Sequence, residues 1–589
     1  MNKIYGILFI LFFSFNLFAS YLKNDQFNEV EYSNLHLVSA IEEALKQKQN
    51  LDINSRLLYK YYKKHKFKPF FTQYSRINNL AVGLINEIKN DEALKLNLSK
   101  LLPMDQVDIR TELLKNNPTV ENIINFDFLL VSVYHKYMTL LSKGSVNWRL
   151  FQKELDELKE KEDINANWQR YKTKKDIRLL LYKAYDYNNI HIALDEVNYT
   201  FLNAKLLSEA IHNYEQMAKS GGYIKIPNFH KALKLGEYYP EIGVIRERLK
   251  QNNLITQKDK DLETINIDKS TSSININNNT LLPIKNSNEL YDKELLEAIK
   301  KFQKNHGLIP DGIIGKNTLN ALNMPIEEKI KKMRINLERM RWLPRNLGDK
   351  YIIVNIPDFT MKMYSNKEKI LEMPIIVGDS KHPTPIFSHR MSQIVLNPYW
   401  RIPQGIVKDE IIPNLIKNPN YLEEEDIKIH ENWDHDSIEY DTKEFDWNIF
   451  LNNNLIGNEE SAPMRFIQIP GDKNPLGKMK FLFPNQYSVY LHDTPFKNLF
   501  ENSNRALSHG CIRLSNPKDL LKTILSQNSK ISYEEADEIL KNKDRVEFEL
   551  DKKIPVHIVY LTSWIDEEGE LQFRNDVYGY DKMQEKLLF

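Results

Sequence analysis

Near residue 349 the hydrophobic rhythm of this chain changes, and any fold for the whole must house both regimes. From about Leu35 to Gly221 apolar residues recur at spacings of three and four, as in Ala40–Leu45 and Leu57–Tyr62, and glycine is nearly absent. That is the period of amphipathic helices, and the apolar run from Phe126 to Leu141 predicts a buried one. From Tyr351 onward the pattern is of short β-branched and aromatic runs cut by turn residues: Tyr351–Ile356, Thr360–Tyr364, Ile370–Gly378 and Met391–Leu396. These predict successive strands of a β-sandwich or barrel-like body. With 589 residues there is chain for three or so domains, and the fold class is multidomain α+β.

Composition excludes several classes. Lys plus Arg number 81 against 80 Asp plus Glu, a formal charge of +1, and no basic stripe suggests nucleic acid. A single cysteine permits neither an internal disulfide nor a thiolate zinc cluster. His-Glu-x-x-His is absent, and His382, His389, His430 and His435 are scattered, so neither metal nor cofactor is expected. At the start, Lys3 precedes an almost wholly apolar Ile4–Phe18, then Ala19-Ser20 and the polar Lys23-Asn24-Asp25. Residues 1–20 read as a secretory signal peptide, with an uncleaved N-terminal anchor as the alternative, and either exports the body of the protein.

That lone cysteine lies in Ser508-His509-Gly510-Cys511-Ile512-Arg513-Leu514, downstream of Tyr490-Leu491-His492-Asp493-Thr494-Pro495. A thiol becomes a nucleophile when a neighbour lowers its pKa or takes its proton, and histidine is the usual partner. His492, nineteen positions upstream, ends a strand-like run, whereas Cys511 follows a glycine in a turn. If the two meet, His492 serves as general base. The Gly510 and Cys511 amides then face the oxygen of an attacked carbonyl, and the chemistry is acyl transfer through a thioester. An inert buried thiol is the competing reading.

His, a loop of this length, then Ser-His-Gly-Cys resembles the signature of the L,D-transpeptidases with a YkuD-type catalytic domain. Glu338–Pro344, Val354–Pro357, Val377-Gly378, Pro383–Pro385, Asn397–Trp400 and Leu491–Pro495 follow in the order of that family's long subgroup. The resemblance implies a β-rich catalytic domain that cross-links or trims peptidoglycan stem peptides, with Cys511 as nucleophile and His492 as base. It implies that Arg513 meets a substrate carboxylate. His509 and Gly510 are grouped with the catalytic residues, and Ser508 and Tyr490 with the substrate-binding ones. A turn-supporting role is the alternative for His509, and bonding within its own turn the alternative for Ser508.

Ahead of that domain, Glu241 begins a helix after Pro240, with Ile242, Ile245 and Leu249 on one face. A second stretch runs Leu295–Gln303, His306-Gly307-Leu308, Asp311-Gly312 and Thr318–Leu322, which is helix, glycine stop, turn, helix. Together they resemble the small three-helix peptidoglycan-binding module, split by a polar stretch at about 256–288 expected to be disordered. An inter-domain spacer that binds nothing is the alternative.

The expected layout is a helical scaffold at 21–225, the module at 226–325, the catalytic domain at 326–565 and a segment of unassigned role at 566–589. Within the catalytic domain, residues of about 402–479 break the strand rhythm and are expected to cap the site. Expected partners are stem peptides and glycan of the wall, with cell-wall synthases beside them, in the periplasm or cell envelope. The rivals are an L,D-carboxypeptidase or endopeptidase using the same residues, and a non-catalytic wall-binding scaffold.

Overall fold

The computed structural model describes residues 34–48, 52–198, 203–255, 287–442, 445–448, 464–526, 530–542 and 544–588. The signal-like segment and nearly all of the expected disordered insertion lie outside them. The architecture is multidomain α+β. Among the described residues no helix is long and apolar enough to cross a membrane.

The predicted buried helix runs over Val120–Lys143, opened by Thr119 accepting from the Asn122 amide. Its carboxylate Asp127, fully buried, accepts from the Phe70 and Phe71 amides at 3.0 and 2.7 Å and from the Tyr62 hydroxyl. Four helical segments around it bury Ile41, Tyr61, Leu84 and Leu181 against its flanks.

The module forms three helices, Glu241–Lys250, Lys293–Asn305 and Lys316–Leu322, closed on Ile242, Ile245, Leu249, Ile299, Phe302 and Leu322. Gly307 stops the second helix in the left-handed region at φ 64°, as its place in the sequence predicts.

The strands of the catalytic domain form a main sheet and a smaller one: β1 (Lys350–Asn355), β2 (Thr360–Ser365), β3 (Glu368–Gly378) and β4 (Ser388–Leu396) belong to the first, and β5 (Trp400–Arg401), β6 (Ile427–His430) and β7 (Arg465–Gln468) to the second. The main sheet continues with β8 (Met479–Leu482), β9 (Leu491–His492), β10 (Ala506–Ser508), β11 (Ile512–Leu514) and β12 (Val546–Val559). The main sheet has the order β10-β3-β11-β9-β8-β4-β12-β1-β2, and β2 also pairs with β3, which closes a barrel. Of the two bodies expected, the barrel is the one formed. Its inward residues, among them Ile352, Met363, Ile375, Ile394, Phe481, Leu491 and Ile512, alternate along each strand as period two requires.

Part of that core comes from far upstream. Val146, Phe151, Leu155 and Trp168 pack with Trp342 and Ile386, and the Gln169 amide donates to the Ile386 carbonyl at 2.8 Å. This stretch, assigned from sequence to the helical scaffold, packs with the barrel, its Phe151 and Trp168 rings lying against Trp342. The insertion folds as its own unit, β5-β7-β6 closed on Ile402, Val407, Ile412, Leu422, Ile429, Trp447 and Phe466.

Candidate active site

β9 and β11 pair in parallel, Leu491 opposite Ile512 and His492 opposite Arg513, and the Ile512 amide donates to the Tyr490 carbonyl at 3.1 Å. Because side chains alternate, Tyr490, His492, Cys511 and Arg513 all stand on one face. On the other side of β9, β8 places Lys480 opposite His492. The chain between Lys480 and Arg513 thus folds into a five-residue patch: two imidazole- or phenol-bearing residues in the middle, the thiol on one flank and cations on both.

His492 is 3 % exposed, and its Nδ1 lies 2.5 Å from the Asp493 carbonyl oxygen. A carbonyl only accepts, so Nδ1 carries the proton and Nε2 presents a lone pair. Burial, then the nearby Arg513 charge, lowers the ring's pKa to about 3, so it is neutral at physiological pH. Cys511 is partly exposed. Burial of the sulfur pushes its pKa up, opposed by the Tyr490 amide, the Lys480 charge, the Tyr490 hydroxyl and the Arg513 charge. Its thiol lies 3.8 Å from the Ser488 carbonyl oxygen. The resting pair is therefore neutral thiol and neutral imidazole.

The other expected site residues divide. Gly510 takes φ 106°, where a side chain is strained, and the turn depends on it. Its amide, however, donates to Ser508 Oγ at 3.1 Å, which corrects the expectation that both it and the Cys511 amide stand free. Ser508, 2 % exposed, also donates to the Cys511 carbonyl at 2.6 Å, so it ties the turn together. His509 points outward: its Nε2 lies 3.0 Å from Glu410 Oε1 of the insertion and its ring 4.6 Å from that of His382. It joins the insertion to the turn. Arg513 keeps its place beside the sulfur, with burial lowering its pKa and the Cys511 and Glu410 charges raising it.

Gly378 and Thr384, from the Val377-Gly378 and Pro383–Pro385 motifs, and Tyr578, which no motif marked, hold the turn from behind. Thr384 Oγ1 donates to the Gly510 carbonyl at 2.9 Å and accepts from the Gly378 amide at 2.8 Å. Tyr578, from the C-terminal segment, donates to the Gly378 carbonyl at 2.6 Å and accepts from the Thr384 amide at 3.2 Å. A methyl group on Gly378 would stand 2.0 Å from the His382 carbonyl oxygen and 3.0 Å from the Gly510 Cα, so only glycine fits there.

Among the described residues, two groups of acidic and histidine side chains are close enough to share an ion, Glu92–His212–Glu215 and Asp434–His435–Asp436. Glu92 and Glu215 already neutralise Arg334 and Lys95. The second group is exposed on a loop of the insertion.

Residues 349–547 match the family described as "L,D-transpeptidase catalytic domain" (YkuD), residues 278–322 "Putative peptidoglycan binding domain", and residues 56–201 "Scaffold domain". A curated relative from Haemophilus influenzae, "Putative L,D-transpeptidase", is 32 % identical over 252 residues, 43 % of this chain and 48 % of that protein. The match thus spans about half the relative's length. Among solved structures, an L,D-transpeptidase from Mycobacterium smegmatis is 12 % identical over 36 % of this chain and 58 % of that one, at a TM-score of 0.17. Another, L,D-transpeptidase (Yku) from Stackebrandtia nassauensis, is 12 % identical over 57 % of this chain and 96 % of that one, at 0.19. Structural likenesses of that size carry no weight. The sequence matches do: the chain carries an L,D-transpeptidase catalytic domain of the YkuD family, preceded by a scaffold domain and a peptidoglycan-binding domain.

Proposed function

We propose that this protein is a peptidoglycan L,D-transpeptidase of the cell envelope, working through a thioester on Cys511. The observation that carries the reading is the parallel β9–β11 pairing, which sets a thiol and a buried, neutral imidazole with its Nε2 lone pair on one face. As sulfur attacks the carbonyl carbon of the third, L-configured residue of a tetrapeptide stem, its proton passes to His492 Nε2. The bond to the terminal D-alanine then breaks, and the imidazolium returns the proton to the leaving amine. The side-chain amine of a neighbouring stem attacks the thioester, loses a proton to Nε2, and the C–S bond breaks to regenerate the thiol. The product is a cross-link between two third residues.

With the Gly510 amide engaged, the Cys511 amide is the backbone donor left to the developing oxyanion. Arg513, beside the sulfur, takes the stem's carboxylate, and Tyr490 lines the cleft. The exported location follows from the substrate and agrees with the apolar Ile4–Phe18 run. The module and cell-wall synthases are assigned the task of bringing the enzyme to glycan. Incubating the purified protein with disaccharide tetrapeptide and weighing the products tests the reading. A dimer lacking one D-alanine supports it. A tripeptide monomer alone makes the protein a carboxypeptidase, and unchanged substrate makes it a scaffold.

A further inference from the structure

We propose that Lys480 is a positioning residue for the thiolate: through the face of the Tyr490 ring it supplies positive charge that stabilises the Cys511 sulfur once its proton has left. This rests on Cys511 being the nucleophile.

The need for such a group follows from the site. A thiolate formed in the resting site, before His492 carries the proton, requires a compensating charge, because the imidazole beside it is then buried and neutral. Lys480 comes from β8, one strand beyond Tyr490, and the register places it on the same face as the thiol. Its Nζ stands 3.8 Å from the centroid of the Tyr490 ring, well inside cation–π range. The same ring stands on the face it shares with Cys511 and works against the rise of the thiol's pKa, so the cation polarises the group that supports the thiolate. Among the described residues no carboxylate forms a salt bridge with Lys480. Burial lowers the ammonium to about 8, and the facing Cys511 charge works against that loss.

The charged and titratable groups around Lys480 are His492 on β9 with Tyr490 just before it, Arg513 on β11 with Cys511 just before it, Arg401 on β5, and Glu547 on β12 with Arg545 just before that strand. Arg401 and Arg545 weaken the ammonium and Glu547 supports it. Lys480 keeps its charge below about pH 8, so the stabilisation is present there and fades above it.

The test uses the full-length chain, whose sole cysteine makes alkylation by neutral iodoacetamide a direct reading of thiolate. Rates are measured from acid to alkaline pH for wild type, Lys480→Met and Lys480→Arg, with near-ultraviolet circular dichroism reporting the fold. Lys480→Met is expected to raise the midpoint by about one unit, about tenfold slower alkylation at neutral pH, while Lys480→Arg stays near wild type. Should Lys480→Met fail to fold, Lys480→Gln makes the same comparison. An unmoved midpoint, or an equal shift in the methionine and arginine variants, overturns the proposal. Alkylation needs no stem peptide, so such a result leaves the transpeptidase reading standing. A wild-type Cys511 that resists alkylation at every pH overturns both.

Discussion

Arg341 Nη2 lies 2.6 Å from both carboxylate oxygens of Asp91, 250 positions earlier in the chain. Both side chains are buried, so the pair pins the scaffold to the helix leading into the catalytic domain. Its neighbours extend the junction: Glu338 accepts from the Ser145 and Val146 amides, and Arg339 pairs with Asp581 of the C-terminal helix at 2.6 Å. Asp91→Ala removes the closer of the two carboxylates paired with this buried guanidinium, Glu338 remaining at 3.7 Å, and is expected to cost about 3 kcal/mol. Scanning calorimetry should show one unfolding transition splitting into two, and an unchanged single transition would refute the pin.

Gly378→Ala pushes a methyl group into the His382 carbonyl and the Gly510 Cα. Overpacking of this kind costs about 1–3 kcal/mol. Because the atom displaced belongs to the turn bearing Cys511, turnover should fall by about 10²-fold, and kcat against product formation is the readout.

Tyr578→Phe removes a hydroxyl that donates to the Gly378 carbonyl and accepts from the Thr384 amide. The cost is about 1–3 kcal/mol, seen as a lower denaturant midpoint. Lower kcat with little change in KM would mark the C-terminal segment as a support of the nucleophile turn.

His492 is held at about 3, below its ordinary value, because burial disfavours the charged ring. Between pH 3 and 6.5 the unfolded chain binds the proton that the folded one refuses, so stability rises with pH across that window and is lost on acidification. His557 and His65, lowered to about 4, act in the same direction. Thermal melts from pH 7 to pH 4 should show Tm falling, and His492→Gln should lose less over the same range.

Glu410→Gln weakens the contact of the insertion with His509, 3.0 Å long between two side chains about half exposed. An exposed pair contributes about 0–1 kcal/mol, so Tm should barely move. Hydrogen exchange in residues 404–417 should accelerate and KM for the stem peptide should change. No change in exchange would show that the pair does not hold the insertion.

What was legible in the sequence is what local periodicity or a compact motif carries. The buried helix around Asp127, the glycine stop at Gly307 and the strand runs all declare themselves by spacing, and the pairing of His492 with the Cys511 strand by the motif. The brace was not legible: Thr384 and Gly510 are 126 positions apart, Tyr578 and Gly378 are 200, and single hydrogen bonds leave no period. Nor was the charge state of the site, since the resting neutrality of His492 comes from how deeply the barrel buries it. Lys480 reads as an ordinary strand lysine until the register sets it opposite His492.

The most direct measurement is the mass of the intact protein after brief exposure to disaccharide tetrapeptide. The account predicts an adduct equal to the stem peptide minus its D-alanine, located on Cys511 by fragmentation and missing from Cys511→Ala. An adduct on another residue, or cross-linked product formed by Cys511→Ala, would contradict it.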